Sequence, residues 1–168
     1  MVNVYQGFRK QVIRILEFMV MVFVAIAVGS AFLQVIFRYI LNNSLIWSEE
    51  LTRYSIIWTV FIAAPVALVR KIHINVDVIF NRLPTKIRIL TECFINLGVL
   101  FFTVVLLIYG IKLTGKTLAT PSPSMAIPMG YVYLSIPFGS LFLLWFALEM
   151  LIENIHKFVN ILNKEKGE

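Results

Sequence analysis

The chain has 168 residues, of which 60% are hydrophobic and 14% are charged, and its formal net charge is +6. Soluble domains are nearer half apolar and a quarter charged, so a water-soluble fold of this size would leave too much apolar surface in water. The composition therefore excludes an ordinary soluble domain and predicts a single membrane-embedded domain. The basic residues form short clusters between apolar runs, which suits anionic lipid headgroups and argues against a nucleic acid partner.

Four apolar segments are candidates to cross a bilayer, which takes about 20 residues of helix. We predict spans at about 15–38, 48–69, 91–112 and 130–150 within one domain, 1–168. The second span is short and contains Pro65, which should kink it. The predicted fold class is an all-α integral membrane protein, with four transmembrane helices plus short interfacial amphipathic helices.

The apolar stretch from Thr117 to Leu148 is too long for one span, and Pro121, Pro123 and Pro128 interrupt its first third. We expect 118–129 to be an extended loop and 130–148 to be the last helix. Pro137 should bend that helix near its first third.

The start of the first span also resembles a signal peptide, since a basic segment precedes an apolar run. Small residues at Ala27, Gly29 and Ala31 even provide a cleavage-like pattern. The apolar run continues well past them, to Phe37. We therefore favour a retained membrane anchor over a cleaved signal.

Two segments beside the spans have the pattern of interfacial helices. Apolar residues recur at helical spacing from Tyr5 to Ile15, which predicts a helix lying on the membrane surface before the chain turns inward. The segment Ile72–Phe80 fits a strand or a helix equally well by its periodicity. A lone strand at a membrane surface would leave its edges unpaired, so a short amphipathic helix is expected there.

The basic residues also predict the orientation of the chain. They concentrate before the first span, between the second and third spans, and in the tail, while few lie in the other two connections. By the positive-inside rule, both termini should be cytoplasmic.

The sequence contains no motif for catalysis or for cofactor binding. Its glycines form no phosphate-binding loop, its two histidines lie outside the spans, and Cys93 is the only cysteine. We expect no enzymatic activity and no cofactor in this chain. The centres of the spans also lack the ionisable groups that transporters use for coupling, which favours a scaffold or accessory subunit.

A polar cluster joins the first span to the second. It consists of Arg38, Trp47, Glu49, Glu50 and Arg53. In one interpretation these residues cap and anchor a helix: Ser48 would be the N-cap, and Glu49 would pair with Arg53 four residues later. In the other, Arg38 pairs with Glu49 or Glu50 and pins the two spans together. Both interpretations remain open on the sequence.

A second cluster lies at the predicted cytoplasmic side and comprises Arg70, His73 and Asp77. Arg70 fits a basic rim that contacts lipid headgroups. The sequence leaves the roles of His73 and Asp77 undecided.

Several short motifs, in order, resemble the small membrane subunit of tripartite ATP-independent periplasmic (TRAP) transporters, the DctQ family. They are QVIFRY (34–39), NNSLIWSEELTRY (42–54), Trp58, RKIHINVD (70–77) and IPMGYVY (127–133). The resemblance covers about residues 15–148. One departure is Ala63-Ala64-Pro65, where the family usually has a glycine-alanine pair.

The resemblance implies a non-catalytic scaffold subunit in a bacterial or archaeal cytoplasmic (inner) membrane. Its implied partners are a large membrane subunit on a separate chain, which would hold sodium and the substrate, a periplasmic substrate-binding protein, and lipids. The substrate would be an organic acid such as sialic acid or a dicarboxylate. The binding protein would touch the polar cluster and a loop containing Pro121, Ser122, Pro123 and Met125.

Two other functions compete with this one. A self-sufficient four-span transporter working as a homodimer would need an acid within the membrane, and only Glu17 and Glu92, at span edges, are candidates. A membrane enzyme or quinone-linked electron carrier would need ligand pairs or catalytic motifs that the sequence lacks.

Overall fold

The computed structural model describes residues 2–43, 45–70 and 85–166, and it describes side chains at 5–43, 45–70, 87 and 91–156. The elements are α1 (Val2–Tyr39), α2 (Ile46–Val69), α3 (Thr85–Thr117), the one-turn α4 (Gly130–Tyr133) and α5 (Ser135–Lys166). In the described part of the chain, four helices are long and apolar enough to span a membrane, so the predicted all-α fold with four transmembrane helices is confirmed. The predicted helix at 72–80 lies outside the described residues.

The helices pack in the neighbour order α1–α2–α5–α3, and α4 packs between α3 and α2. No extensive packing joins α1 to α3 in the described part of the chain, so the contacts do not close into a ring. We call the end where α1 begins and α5 ends the terminal end, and the opposite end the loop end. The outer helices expose broad apolar surfaces; Phe94 and Phe101 of α3 are 79% and 74% exposed.

The lengths of the helices differ because only part of each lies in hydrocarbon. α2 has 24 residues, or about 36 Å at 1.5 Å per residue, close to the ~30 Å apolar thickness of a bilayer. α1 has 38 residues, or about 57 Å, so it extends well beyond the hydrocarbon.

α1 runs without interruption, which corrects the predicted surface helix at its start. Two contacts hold the first half of α1 on the bundle: Leu16 is almost fully buried, and Arg9 pairs with Glu149 of α5. Of the apolar residues in the pattern, Val12 packs against the core, while Tyr5, Phe8 and Ile15 remain exposed. α1 then ends in a turn where Asn42 adopts φ 47°, a left-handed conformation that asparagine tolerates better than most residues.

The core joins α1, α2 and α5. Leu16, Ile62, Val66 and Phe146 are buried together. Trp58 of α2 links the two flanking helices, since its ring stacks on Phe23 at 5.5 Å between centroids and lies 5.8 Å from Phe138. Aromatic contacts of this kind fix the rotation of each helix about its axis.

Pro65 lies inside α2 and is buried where α2 crosses α5. Proline has no N–H, so the carbonyl of Phe61, four residues earlier, lacks its usual helical donor. Gly139 of α5 packs directly on this carbonyl: a Cβ at position 139 would lie 2.2 Å from the Phe61 oxygen. Only a glycine allows this approach, which brings its Cα–H groups close to the freed carbonyl.

The last span is interrupted at Leu134, between α4 and α5. Pro137 cannot donate to the carbonyl of Tyr133, while the flanking bonds from Leu134 to Gly130 and from Phe138 to Leu134 are intact. The predicted last span over 130–148 is thus present within the span-length segment Gly130–His156, with an irregular residue at Leu134. Pro137 falls in the first turn of α5, so the one helical bond that it removes lies at the junction of α4 and α5.

Candidate interaction site at the loop end

Glu50 connects α2 to the loop 118–129. Its Oε1 accepts a hydrogen bond from the backbone N–H of Ser124 at 3.0 Å, and its Oε2 accepts one from the N–H of Met125 at 3.1 Å. The residue is only 7% exposed. Two consecutive N–H groups converging on one carboxylate form a concave anion site, which here is filled from within the same chain.

The loop is also held by bonds of its own. The N–H of Ser122 donates to the carbonyl of Ile127 at 2.8 Å, and the N–H of Met129 donates to the carbonyl of Thr120 at 2.8 Å. The Ser122 hydroxyl accepts from the Ile127 N–H at 3.3 Å. Ala126 closes the turn with φ 53°. The segment is thus a tight hairpin-like turn, and Glu50 secures its tip.

Two further contacts hold the base of the loop. The hydroxyl of Tyr54 lies 3.3 Å from the sulfur of Met129. Gly130 packs on Leu118, and a Cβ at position 130 would come within 2.9 Å of the Leu118 Cα. Both ends of the loop are therefore held, by α2 and by the start of α4.

The four residues predicted to touch a binding protein are not equally accessible. Pro121 and Pro123 are exposed, Met125 is half-buried, and Ser122 is only 4% exposed. Ser122 holds the loop together from within, and Met125 gives its N–H to Glu50. The surface of the loop is formed instead by the prolines together with Ser124 and Ala126, which are also exposed.

The predicted pairing of Arg38 with Glu49 or Glu50 is wrong. Glu49 pairs with Arg53 of its own helix at 3.0 Å, with both side chains more than 60% exposed, and Glu50 is occupied by the loop. The Arg38 guanidinium lies 5.8 Å from the ring centroid of its neighbour Tyr39. An arginine that ends α1 thus stays at the surface, because both acids of α2 have nearer partners.

The Ser48 cap is also corrected. α2 begins at Ile46, with Leu45 at the N-cap and no side chain bonded there. The buried Ser48 hydroxyl donates back to the Leu45 carbonyl at 2.7 Å. Trp47 is exposed, as suits an aromatic residue at the membrane interface.

The spans α1 and α2 are joined instead by a hydroxyl pair one turn further in. The Ser30 and Thr52 side-chain oxygens lie 2.6 Å apart, and Ser30 is buried. Hydrogen bonds between small polar residues are a common link between membrane helices. The sequence shows both residues but has no local signal that pairs them.

The terminal end carries two ion pairs between helices. Arg70 donates through Nε to Oε1 of Glu17 at 2.9 Å, which joins α2 to α1. Arg9 donates to Glu149 at 2.8 Å across 140 residues of sequence, which joins α1 to α5. His73 and Asp77, predicted to accompany Arg70, lie outside the described residues.

Comparison with known proteins gives one consistent family. Residues 27–157 match the family described as the DctQ component of the tripartite ATP-independent periplasmic transporters. The C4-dicarboxylate TRAP transporter small permease protein DctQ of Vibrio cholerae is 33% identical over 92 residues, which cover 55% of this chain and 40% of that protein. The sialic acid TRAP transporter small permease protein SiaQ of the same organism is 24% identical over 112 residues, covering 67% of this chain and 65% of that protein.

A longer relative also matches. The isethionate TRAP transporter permease protein DctMQ of Oleidesulfovibrio alaskensis is 31% identical over 94 residues, which cover 55% of this chain but only 15% of that protein. The chain thus spans from about a seventh to about two thirds of the length of these relatives.

Proposed function

Because this chain belongs to the DctQ component family of the tripartite ATP-independent periplasmic transporters, we propose that it is the small scaffold subunit of such a transporter. In this proposal it packs beside a large membrane subunit on another chain, and a soluble binding protein delivers the substrate. The substrate and the coupling sodium ions bind to the large subunit.

One observation carries the scaffold role: the central parts of the spans have no acid and no base. Between Phe18 and Phe37, between Arg53 and Arg70, from Cys93 to Ile111, and from Gly130 to Leu148, every residue is uncharged. A site that binds a cation or an organic anion inside a membrane needs ionisable or strongly polar groups. A chain without them is suited to hold a partner in place.

The open neighbour order of the helices supports a partner in the membrane. The two outer helices, α1 and α3, leave much of their apolar surface open to lipid or protein. Association within a bilayer depends on close packing between such surfaces. A large subunit that covers one of them would complete the scaffold.

The proposed setting is the bacterial inner membrane, with the terminal end in the cytoplasm and the loop end in the periplasm. The three relatives compared above are named as parts of transporters for isethionate, a C4-dicarboxylate and sialic acid. Each carries a sulfonate or a carboxylate, so we propose an organic anion as the substrate of this system.

The test is purification and reconstitution. The chain is expressed with the large-subunit and binding-protein genes from its own genome, isolated through a tag on this chain, and placed in liposomes with a sodium gradient. We expect the large subunit to co-purify and uptake to require all three proteins. Uptake by this chain alone would contradict the proposal and would favour the homodimeric transporter.

A further inference from the structure

We propose that Glu50 is a positioning residue, which holds the loop 118–129 in one conformation so that its exposed tip is a preformed docking element for the soluble binding protein. The inference rests on the proposed function. It assigns to Glu50 a task that its neighbour Glu49 does not share, although the two acids are adjacent and both lie in the first turns of α2.

The first argument is the geometry of the carboxylate. Its two oxygens accept from two consecutive backbone N–H groups, so translation and tilting of the loop tip would each break a bond. Hydrogen bonds to an ionised acceptor are roughly twice as strong as those between neutral groups. Glu49, by contrast, bonds to Arg53 of its own helix and to no other element among the described residues.

The second argument is what the bonds leave exposed. The inner polar groups of the loop form hydrogen bonds within the loop or to Glu50. The exposed residues are Pro121, Pro123, Ser124 and Ala126. Proline restricts the backbone further, because its φ is already fixed. A partner that binds such a surface loses little conformational freedom in the loop, which favours association.

The third argument is location. The loop lies at the end opposite the basic terminal end, where the charge distribution predicts the periplasm. Its tip consists of residues outside the described helices, between α3 and α4. A soluble partner arriving from that compartment would meet this tip, whereas the apolar flanks of the helices face the membrane.

The decisive experiment titrates the binding protein against reconstituted complexes that contain Glu50→Ala, Glu17→Ala or the unaltered chain. We expect Glu50→Ala to raise the binding-protein concentration for half-maximal uptake about tenfold, with the same maximal rate, because a disordered loop loses affinity but leaves the transport step intact. Glu17→Ala, which removes an acid at the opposite, terminal end of the bundle, should leave the half-saturating concentration unchanged. Superimposable curves for all three would overturn the inference.

Hydrogen exchange of the purified complex tests the positioning step separately. In Glu50→Ala the amides of Ser124 and Met125 lose their acceptor, so the peptide covering 119–129 should exchange at least about tenfold faster, while peptides from α3 and α5 keep their rates. Unchanged exchange in the loop would overturn the proposal. So would loss of the large subunit on purification, since Glu50 would then be required for assembly.

A second variant tests the docking step while keeping both backbone bonds to Glu50. Ser124→Tyr adds bulk at the exposed tip, and its backbone N–H remains available to the carboxylate. We expect the same rise in the half-saturating concentration with normal loop exchange, and an unchanged titration would refute docking at the tip. If uptake by the unaltered complex does not depend on the binding protein at all, the proposed function itself is wrong. That result differs from an unchanged titration of the variants.

Discussion

Replacing Gly139 by alanine would put a methyl group against the backbone of α2. The new Cβ would lie 2.2 Å from the Phe61 oxygen and 2.8 Å from the Phe61 carbonyl carbon. The helices would have to separate by about 1.2 Å to restore an ordinary 3.4 Å contact. Because the obstacle is backbone, no side-chain rotation can relieve the clash.

The expected cost follows from that geometry. Extra methyl groups in packed interiors typically cost about 1–3 kcal/mol, and a clash with backbone belongs at the upper end. The separation would also weaken the Cα–H contact with the Phe61 carbonyl, which Pro65 leaves without its helical donor. We therefore expect a loss of about 3 kcal/mol in the free energy of unfolding. For a chain of this size that corresponds to a fall of roughly 6–12 °C in Tm.

The assay is thermal unfolding of the purified chain in one detergent, with Gly98→Ala as the matched control. Gly98 also lies in a membrane-spanning helix, but a Cβ there would meet nothing within 4 Å. The control should match the unaltered chain or exceed it slightly, because alanine favours helix over glycine. Equal Tm values for Gly139→Ala and Gly98→Ala would refute the close crossing of α2 and α5.

Two further predictions concern polar links between helices. Ser30→Ala should lower the free energy of unfolding by about 0.6 kcal/mol, and a double-mutant cycle with Thr52→Val should show coupling, because their hydroxyls share one bond; additive effects would contradict it. Arg9→Gln should destabilise by up to about 1 kcal/mol in low salt and less in high salt, since it breaks the partly buried pair with Glu149. Arg53→Gln, which removes a more exposed pair, should have a smaller effect, and a larger one would contradict this ranking.

Local features of the sequence led to the spans, the Glu49–Arg53 pair and the family. Four long apolar runs have no other stable arrangement than membrane helices, since backbone groups in lipid must be satisfied within the segment. The pair between Glu49 and Arg53 follows from a spacing of four residues on one helix. Both inferences depend on residues that are close in sequence, although the competing pairing with Arg38 was excluded only by the structure.

The prediction of a separate helix on the membrane surface before the first span was wrong for a different reason. An amphipathic stripe shows that one face of a helix avoids water, but a membrane surface and a neighbouring helix satisfy it equally well. Periodicity also carries no signal for a bend. The structure shows one uninterrupted helix in which Arg9 pairs with Glu149 of α5, while Tyr5, Phe8 and Ile15 remain exposed. The Arg38 prediction failed similarly, because the competing partners of Glu50 are backbone N–H groups of a distant loop.

By itself, the sequence determined that this is a membrane protein with four transmembrane helices. It also determined where a proline-rich loop interrupts the last apolar stretch. Only the tertiary structure decided which acid holds that loop and which helices are neighbours. It also decided that Gly139 packs on the Phe61 carbonyl, which Pro65 leaves without a helical donor. The physical reason is that hydrophobicity and helical spacing act along the chain, whereas the bonds of Glu50 and the contact of Gly139 join residues more than 70 positions apart.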